Sequence, residues 1–226
     1  MDKHSKRFNE ALKLVDEKKT YTLKEAIGVL KNMPVTKFDQ SIDIDIHLNV
    51  DSKKSDQMVR GTVVLPAGTG KKVRVAVFCK GEVEKEAKAA GADYVGGQDL
   101  IDKVAAGWMD FDVAVASPDI MKELSKLGKI LGPRGLMPSP KAGTVTNNVA
   151  QAIKEIKGGK IEFKVDKQGG MHSAIGKLSF PEKDIYENAS KFIESLNAAR
   201  PQSIKGKFVQ SAAISTTMGP GLKIDI

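Results

Sequence analysis

Leu65-Pro66-Ala67-Gly68-Thr69-Gly70 is the segment at which the pattern of this chain changes. One proline and two glycines within five positions mark a break between regular elements. Before it, Ile42-Asp43-Ile44-Asp45-Ile46-His47-Leu48-Asn49 alternates apolar and polar residues, which predicts a strand with one buried and one exposed face. After it, Val73-Arg74-Val75-Ala76-Val77-Phe78-Cys79 is almost continuously apolar, which is typical of a parallel strand covered on both faces.

The middle of the chain continues in the second style. Val113-Ala114-Val115-Ala116 is another short apolar run. Helical patterns separate and follow the two runs, at Glu82–Ala90, Gln98–Ala106, Pro118–Leu127 and Asn147–Lys157. Short apolar strands alternating with helices of this length indicate βαβ units and a parallel sheet. The middle region is therefore expected to be Rossmann-like α/β, and it ends at a second break, Lys157-Gly158-Gly159.

Alternation returns after the second break. Lys160–Asp166 alternates polar and apolar residues, and Gln168-Gly169-Gly170 predicts a turn into a partner strand, Met171–Phe180. The face of that strand is ambiguous, because Ile175 and Lys177 fall on the same side. A helix stripe beginning near Pro181 and two further strands, Lys207–Thr217 and Leu222–Ile226, complete the chain.

The two ends of the chain share one style and the middle has another, which favours an insertion. We expect a discontinuous α+β, sandwich-like domain from residues 1–66 plus 159–226, with a Rossmann-like α/β domain inserted at 67–158. Chain termini that lie close together make such an insertion tolerable. The residues expected to act as hinges are Pro66, Gly68, Gly70, Gly158 and Gly159.

Composition limits the class of partner. Lys and Arg number 36 against 28 Asp and Glu, a formal net charge of +8, which favours a polyanion; charge that serves only solubility is the alternative. The one cysteine, Cys79, allows no disulfide framework, and Met1–Arg7 lacks the apolar pattern of a secretory signal. No stretch approaches the roughly 20 apolar residues of a membrane span. We expect a cytoplasmic protein with no membrane contact.

Catalytic motifs are incomplete. Gly68-Thr69-Gly70-Lys71-Lys72 resembles a phosphate loop, but Leu65 stands where its first Gly belongs and Lys72 where Ser or Thr would bind magnesium. No Gly-x-Gly-x-x-Gly follows the strand ending at Cys79. The three histidines are far apart in sequence. The sequence therefore predicts no enzyme, no cofactor and no metal site.

Three segments have the chemistry of an RNA contact, and each has a plainer alternative. Lys37-Phe38 sets an aromatic beside a cation, although Phe38 could instead close the core. Ser215-Thr216-Thr217-Met218-Gly219-Pro220 offers hydroxyls and bare backbone N–H groups, although it could be a polar strand end. The Gly- and Pro-rich stretch Lys126–Lys141 is either a rigid loop or a secondary RNA contact through Lys129, Arg134 and Lys141.

Several segments together resemble the family of bacterial large-subunit ribosomal protein number one, found in the mobile stalk beside the tRNA exit site. The likeness runs essentially from residue 5 to residue 226. The segments that carry it are Lys37–Asp39, Asp56–Val63, Gly91–Gly97, Gly107–Asp112, Leu127–Gly143 and Thr216–Pro220.

The resemblance implies a function as well as a fold. The family has a first domain made of both chain ends, which holds most of the 23S ribosomal RNA site, and an inserted Rossmann-like domain. It implies three RNA partners: 23S rRNA in the large subunit, exit-site tRNA whose release the protein assists, and its own operon mRNA, which it represses. The free protein is expected to be a monomer. The residues to which the RNA role is carried are Lys37, Phe38, Lys164, Lys167, His172, Lys177, Ser211, Thr217, Met218 and Gly219.

Overall fold

The computed structural model describes residues 5–16, 18–51, 54, 57–81, 83–202, 204 and 206–226. The chain forms two compact units, which we call the discontinuous unit (Met1–Gly70 with Ile161–Ile226) and the continuous unit (Lys71–Lys160). Three parts of the sequence predictions lie outside the described residues: Met1–His4 of the N-terminal segment, Asp56 at the start of one motif, and Glu82 at the start of one predicted helix.

Helices and strands alternate along the chain. The helices are α1 (Lys6–Leu12), α2 (Leu23–Lys31), α3 (Val83–Ala89), α4 (Gln98–Ala105), α5 (Met121–Leu124), α6 (Gly128–Leu131), α7 (Val149–Lys157) and α8 (Glu182–Ala198). The strands are β1 (Ser41–Leu48), β2 (Arg60–Val64), β3 (Val75–Phe78), β4 (Tyr94–Gly96), β5 (Val113–Ala116), β6 (Lys160–Lys164), β7 (Gly170–Lys177), β8 (Val209–Thr216) and β9 (Leu222–Ile224). The expected combination of an α+β and an α/β part is confirmed.

Helix α2 begins where the sequence predicts it. Thr22 Oγ1 accepts a hydrogen bond from the backbone N–H of Glu25 at 3.4 Å, and Glu25 Oε2 accepts one from Thr22 N at 3.2 Å. This reciprocal capping box satisfies two N–H groups that have no partner within the helix. The helix buries Ala26, Ile27 and Leu30 and ends before Pro34.

A four-stranded antiparallel sheet of order β7-β1-β8-β9 is the centre of the discontinuous unit. Ile42, Ile44, Ile46 and Leu48 of β1 are buried, each at most 2% exposed, and the residues between them are not. The predicted alternation is therefore confirmed. Helices α2 and α8 pack on the apolar side of the unit, which leaves the opposite face of the sheet open.

The predicted hairpin between Lys160–Asp166 and Met171–Phe180 is wrong. Strand β6 pairs with β2 in a separate two-stranded sheet, whereas β7 pairs with β1. Phe163 of β6 packs edge-on against Phe192 of α8, with ring centroids 5.6 Å apart, so burial of this ring keeps β6 in the second sheet. Strand β7 also ends early, at Lys177.

A β-bulge explains the ambiguous face of β7. Ile42 is opposite Gly176 and Asp43 is opposite Ala174, so Ile175 is the extra residue on that strand. Ile175 and Gly176 are both buried as a result. The extra residue shifts the alternation by one position, so that Ile175 points into the core while Lys177 lies at the edge of the open face.

The continuous unit has a parallel sheet of order β4-β3-β5. Ala76 and Phe78 of β3 pack in one apolar layer with residues of α4, and Val75 and Val77 pack in another with residues of α3 and α7. Coverage on both faces is the Rossmann-like arrangement that the apolar runs predict. Two details differ: β4 was not predicted as a strand, and Pro118–Leu127 is not one helix but α5 between two 3-10 turns.

Candidate nucleic-acid interface

The open face of the four-stranded sheet carries polar groups from three neighbouring strands. In the register of the sheet, Asp45 of β1 lies between His172 of β7 and Ala213 of β8. His47, one pleat further, lies between Gly170 and Ser211. The polar residues of β1 on this face therefore have neighbours on both sides from the sequence that follows residue 160.

At one end of this face the sheet meets the turn after β8. Backbone N–H of Ser41 donates to Thr217 Oγ1 at 3.0 Å, and Thr217 N donates to Ser41 O at 3.1 Å. Backbone N–H of Met218 donates to Gln40 Oε1 at 3.0 Å. These bonds fasten the turn Thr217–Gly219 to the segment that carries Lys37 and Phe38, although the two lie far apart in the sequence.

Large apolar side chains are exposed on the same two segments. Phe38 is 52% exposed, Met218 is 48% exposed and Val35 is 86% exposed. Phe38 therefore does not close the core, and that alternative is wrong. Lys37 is also exposed. A cation beside exposed apolar groups suits contact with riboses and base faces.

The end of β7 completes this edge. Lys177 Nζ donates to Ser41 Oγ at 2.9 Å. Lys31 Nζ donates to the carbonyl oxygens of Leu178, at 2.7 Å, and Phe180. The backbone beyond β7 is thus held beside the sheet by a lysine of α2, and Lys177 remains at the open face.

Thr216 and Gly219 form the inner side of the turn. Thr216 is 3% exposed, and its hydroxyl oxygen is buried without a hydrogen-bond partner among the described residues. A Cβ added to Gly219 would lie 2.4 Å from Thr216 Oγ1 and 3.0 Å from Met33 Sδ. Only glycine fits position 219 while the turn keeps its bond from Gly219 N to Thr216 O, 3.0 Å.

The opposite end of the open face carries a second polar group. His172 Nδ1 lies 2.7 Å from Asp45 Oδ1. Ser211 is exposed beside His47, and Lys167 is exposed in the turn between β6 and β7. Six residues of strand separate Ser41 from His47, a span of about 20 Å. The open face is thus long enough to cross several nucleotides.

Carboxylates at the face have shifted pKa values. Burial raises the pKa of Asp43 above its ordinary value, and the charge of Asp45 adds to this while Lys177 opposes it. Hydrogen bonds from the backbone N–H groups of Gln168 and Gly170 hold the pKa of Asp166 below its ordinary value. The middle of the face is therefore acidic, and its lysines lie towards the ends.

The remaining predicted site residues lie elsewhere. Lys164 is exposed at the end of β6, in the two-stranded sheet, and so lies outside the open face. Lys129, Arg134 and Lys141 are exposed in the continuous unit. There, Thr144 Oγ1 accepts from Ser139 N at 2.8 Å and thereby closes the loop that contains Lys141.

The predicted hinge glycines differ in conformation. Gly68, Gly70 and Gly159 have φ values of 70°, 69° and 99°, the left-handed region that favours glycine, whereas Gly158 has φ −74° as the last residue of a helix. Pro66 immediately precedes Ala67, whose backbone N–H is bonded to the side chain of α8 residue Asn188.

Three buried polar residues with structural roles were missed by the sequence interpretation: Gln40, Asn188 and Thr216. Gln40 follows the Lys37–Asp39 motif directly, so its position was a usable signal. Thr216 was noted only as one of three hydroxyls, and its inward direction follows from the alternation of β8. Asn188 gave no signal, because its partners are the backbone of Ala67, Gly68 and Ile175.

A search of the described residues finds no group of three or more His, Cys, Asp or Glu side chains that could hold a metal ion. Within the same part of the chain, no helix combines the length and apolar character that a membrane crossing requires.

Comparison with known proteins follows the same direction. Residues 30–220 match the model of the family described as "Ribosomal protein L1p/L10e family". A protein of Protochlamydia amoebophila named "Large ribosomal subunit protein uL1" is 54% identical over 226 residues, covering 100% of this chain and 96% of the relative. Proteins of the same name from Kosmotoga olearia and Fervidobacterium nodosum are 54% and 53% identical, and each alignment covers 100% of this chain and 97% of the relative.

Proposed function

The chain belongs to the ribosomal protein L1p/L10e family, and we propose that it is a structural constituent of the large ribosomal subunit that binds 23S ribosomal RNA rather than an enzyme. The observation that carries the proposal is the pair of hydrogen bonds from Ser41 N to Thr217 Oγ1 and from Met218 N to Gln40 Oε1. They bring the segment of Lys37 and Phe38 to the turn that contains Met218.

The chemistry of this edge supports RNA more than a small substrate. Phe38 and Met218 are about half exposed without a cavity around them, so they suit the flat faces of riboses and bases. Hydroxyl and backbone groups of the turn can bond to 2′-hydroxyls and phosphates without long flexible side chains. Lys37 and Lys177 add attraction for the phosphate backbone.

The charge pattern supports a defined path for the RNA. Asp43 and Asp45 occupy the middle of the open face and repel phosphates. Lys177 and Lys167 lie towards opposite ends of the same face. We therefore propose that phosphates approach the two ends while sugars and base edges cross the middle, where carboxylates can accept hydrogen bonds.

The finer proposals come from the family resemblance. We propose that the protein assists release of deacylated tRNA from the exit site and represses translation of its own operon mRNA, which would offer the same surface a structure similar to the rRNA site. We assign Lys129, Arg134 and Lys141 to a secondary RNA contact. The free protein is proposed to be a cytoplasmic monomer.

Substitution at the turn tests the RNA site. We expect Thr217→Val and Met218→Asp each to weaken binding of a 23S stalk RNA fragment by about tenfold or more, a loss of about 1.4 kcal/mol or greater. Filter binding at fixed salt measures it, and thermal unfolding verifies that each variant is folded. Lys183→Ala is the matched control, because Lys183 lies in α8, where it pairs with Glu187 on the surface. If both turn variants bind like the parent, the assignment is wrong.

The finer roles need separate measurements. A fragment of the operon mRNA should compete with the stalk RNA for the same protein, and Met218→Asp should weaken both. Ribosomes reconstituted with Met218→Asp should release deacylated tRNA more slowly. Independent binding of the two RNAs would contradict the shared surface.

A further inference from the structure

We propose that Thr216 is a further RNA-binding residue, and that its buried hydroxyl forms a hydrogen bond with a ribose 2′-hydroxyl of the bound RNA. This inference rests on the proposed function, because it takes the turn Thr217–Gly219 to be part of the RNA site. It assigns a role to a residue that faces away from the open surface in the free protein.

The first observation is an unused polar group. Thr216 is 3% exposed, and its hydroxyl oxygen has no hydrogen-bond partner in the part of the chain that the structure describes. A buried hydroxyl that lacks a partner destabilises a protein, whereas valine has the same shape without that penalty. Folding alone therefore gives no reason for threonine here, and a partner supplied by a ligand does.

The second observation is what covers this hydroxyl. The position of an added Cβ on Gly219 would be 2.4 Å from Thr216 Oγ1, so the glycine backbone lies directly over the oxygen. Glycine has no side chain to extend that cover. A small displacement of Gly219 would therefore open the hydroxyl to the surface beside Thr217 and Met218, which are both exposed.

The turn is built so that such a displacement can be local. Gln40 Oε1 holds Met218 N at 3.0 Å, and Thr217 exchanges hydrogen bonds with Ser41. Gly219 is held from within the turn, by the 3.0 Å bond from its N–H to Thr216 O. The first part of the turn therefore stays fixed to the sheet while Gly219 moves.

A ribose 2′-hydroxyl is the RNA group that fits this oxygen. It is uncharged, and it can both donate and accept a hydrogen bond, as the threonine hydroxyl can. A phosphate is a poorer match, because Thr216 lies against Met33 and the buried Pro220, where a charge would lose its hydration. The contact would also help the protein to distinguish RNA from DNA.

The test compares three proteins on one RNA. The parent, Thr216→Val and Thr216→Ser are titrated with a 23S stalk RNA fragment at several salt concentrations. We expect Thr216→Val to bind about three- to tenfold more weakly, the effect of one hydrogen bond, and Thr216→Ser to bind within about twofold of the parent. The slope of affinity against salt should not change, because no charge is removed. Equal binding of the parent and Thr216→Val overturns the proposal.

A chemical change on the RNA separates contact from turn shape. The stalk fragment is prepared with single 2′-deoxy substitutions at successive nucleotides. At one nucleotide, removal of the 2′-hydroxyl should weaken the parent but leave Thr216→Val unchanged, which identifies the partner. If Thr216→Val loses the same affinity on every deoxy RNA, the hydroxyl acts only through the shape of the turn and the proposal is wrong.

Two further arms keep the result interpretable. Thermal unfolding should give Thr216→Val a midpoint equal to or above that of the parent; if valine does not fold, Thr216→Ala takes its place with the same expected outcomes. Met218→Asp is measured alongside. If Met218→Asp weakens binding and Thr216→Val does not, only the role of Thr216 fails, whereas full affinity in Met218→Asp refutes the RNA site itself.

Discussion

Asn188 Oδ1 accepts a hydrogen bond from the backbone N–H of Ala67 at 3.0 Å, and the same side-chain amide donates to the carbonyl oxygens of Gly68 at 2.9 Å and Ile175 at 2.8 Å. Helix α8 thus holds the backbone of residues 67–68 to the discontinuous unit. We therefore expect any hinge on this side to act beyond Gly68, at Gly70 and the residues that follow it, and not at Pro66.

Loss of the Asn188 amide should destabilise the discontinuous unit. Asn188→Ala leaves one backbone N–H and two carbonyl groups without their partner, and we expect a loss of about 2–4 kcal/mol in the free energy of unfolding. Urea denaturation measures it. Asn197→Ala, at an exposed position of the same helix, is the control and should change stability little. A change below about 1 kcal/mol for Asn188→Ala would contradict the structural role.

Two glycines should respond oppositely to alanine. An added Cβ at Gly61 would lie 2.6 Å from Phe163 Cζ, so Gly61→Ala must displace a ring that packs on Phe192, with a loss of about 1–3 kcal/mol. Gly28, within α2, has nothing within 4 Å of the added atom, and Gly28→Ala should stabilise by about 0.5–1 kcal/mol. Thermal unfolding of both variants distinguishes the two environments. Equal signs would show that one of them is misdescribed.

Salt dependence should separate Lys177 from a lysine outside the RNA face. If Lys177 meets a phosphate, Lys177→Met should lower the slope of log affinity against log salt by about 0.7–0.9. Lys183→Met removes the same charge from α8 and should leave that slope unchanged. Filter binding with the stalk RNA across a salt series gives both slopes. An unchanged slope in Lys177→Met would remove this lysine from the site.

Acid should weaken the continuous unit through two aspartates that flank the start of β3. Asp93 Oδ2 accepts from Val75 N at 2.9 Å, and Asp112 Oδ2 accepts from Arg74 N at 3.0 Å. These backbone hydrogen bonds are the main reason that the pKa values of both carboxyls lie below their ordinary value.

The direction of the acid effect follows from those two shifts. A carboxyl with a lower pKa in the folded state stabilises the protein above its unfolded-state pKa, and that stabilisation is lost as pH falls through the folded-state pKa. Urea midpoints measured from neutral pH downwards should therefore fall in the acidic range. The difference between the parent and Asp112→Asn should shrink at low pH, and a constant difference would contradict the titration of Asp112.

Most of the RNA affinity should belong to the discontinuous unit. Replacing residues 71–160 with a short Gly linker keeps Ala67 and Gly68 in place for Asn188, and we expect less than about tenfold loss of stalk RNA affinity. A loss of about a thousandfold, roughly 4 kcal/mol, would show that the continuous unit contributes a principal contact.

Periodicity predicted those elements whose burial is regular. The alternation in Ile42–Leu48 and the apolar run at Val75–Phe78 gave β1 and β3, because burial on one or both faces is recorded directly in residue order. It failed for β6 and β7. A turn at Gln168–Gly170 predicts a change of direction, but the burial of Phe163 against Phe192 determines which sheet receives β6.

The candidate site was predictable at its surface and not beneath it. Exposed Phe38 and Met218 lie in motifs that the family resemblance marks. Gln40 and Thr216 are functional only through atoms brought together from distant parts of the chain. Such pairings have no local periodicity, so residue order alone could not identify them.

The place of β1 in the sheet has a consequence for synthesis of the protein. Both neighbours of β1, the strands β7 and β8, follow the whole continuous unit in the chain. On the ribosome that makes it, β1 therefore emerges long before either partner and carries an unpaired apolar face, whereas the β3–β5 region can form from local segments. The RNA-binding edge cannot exist until translation is nearly complete, so a truncated chain could neither enter a ribosome nor repress a message.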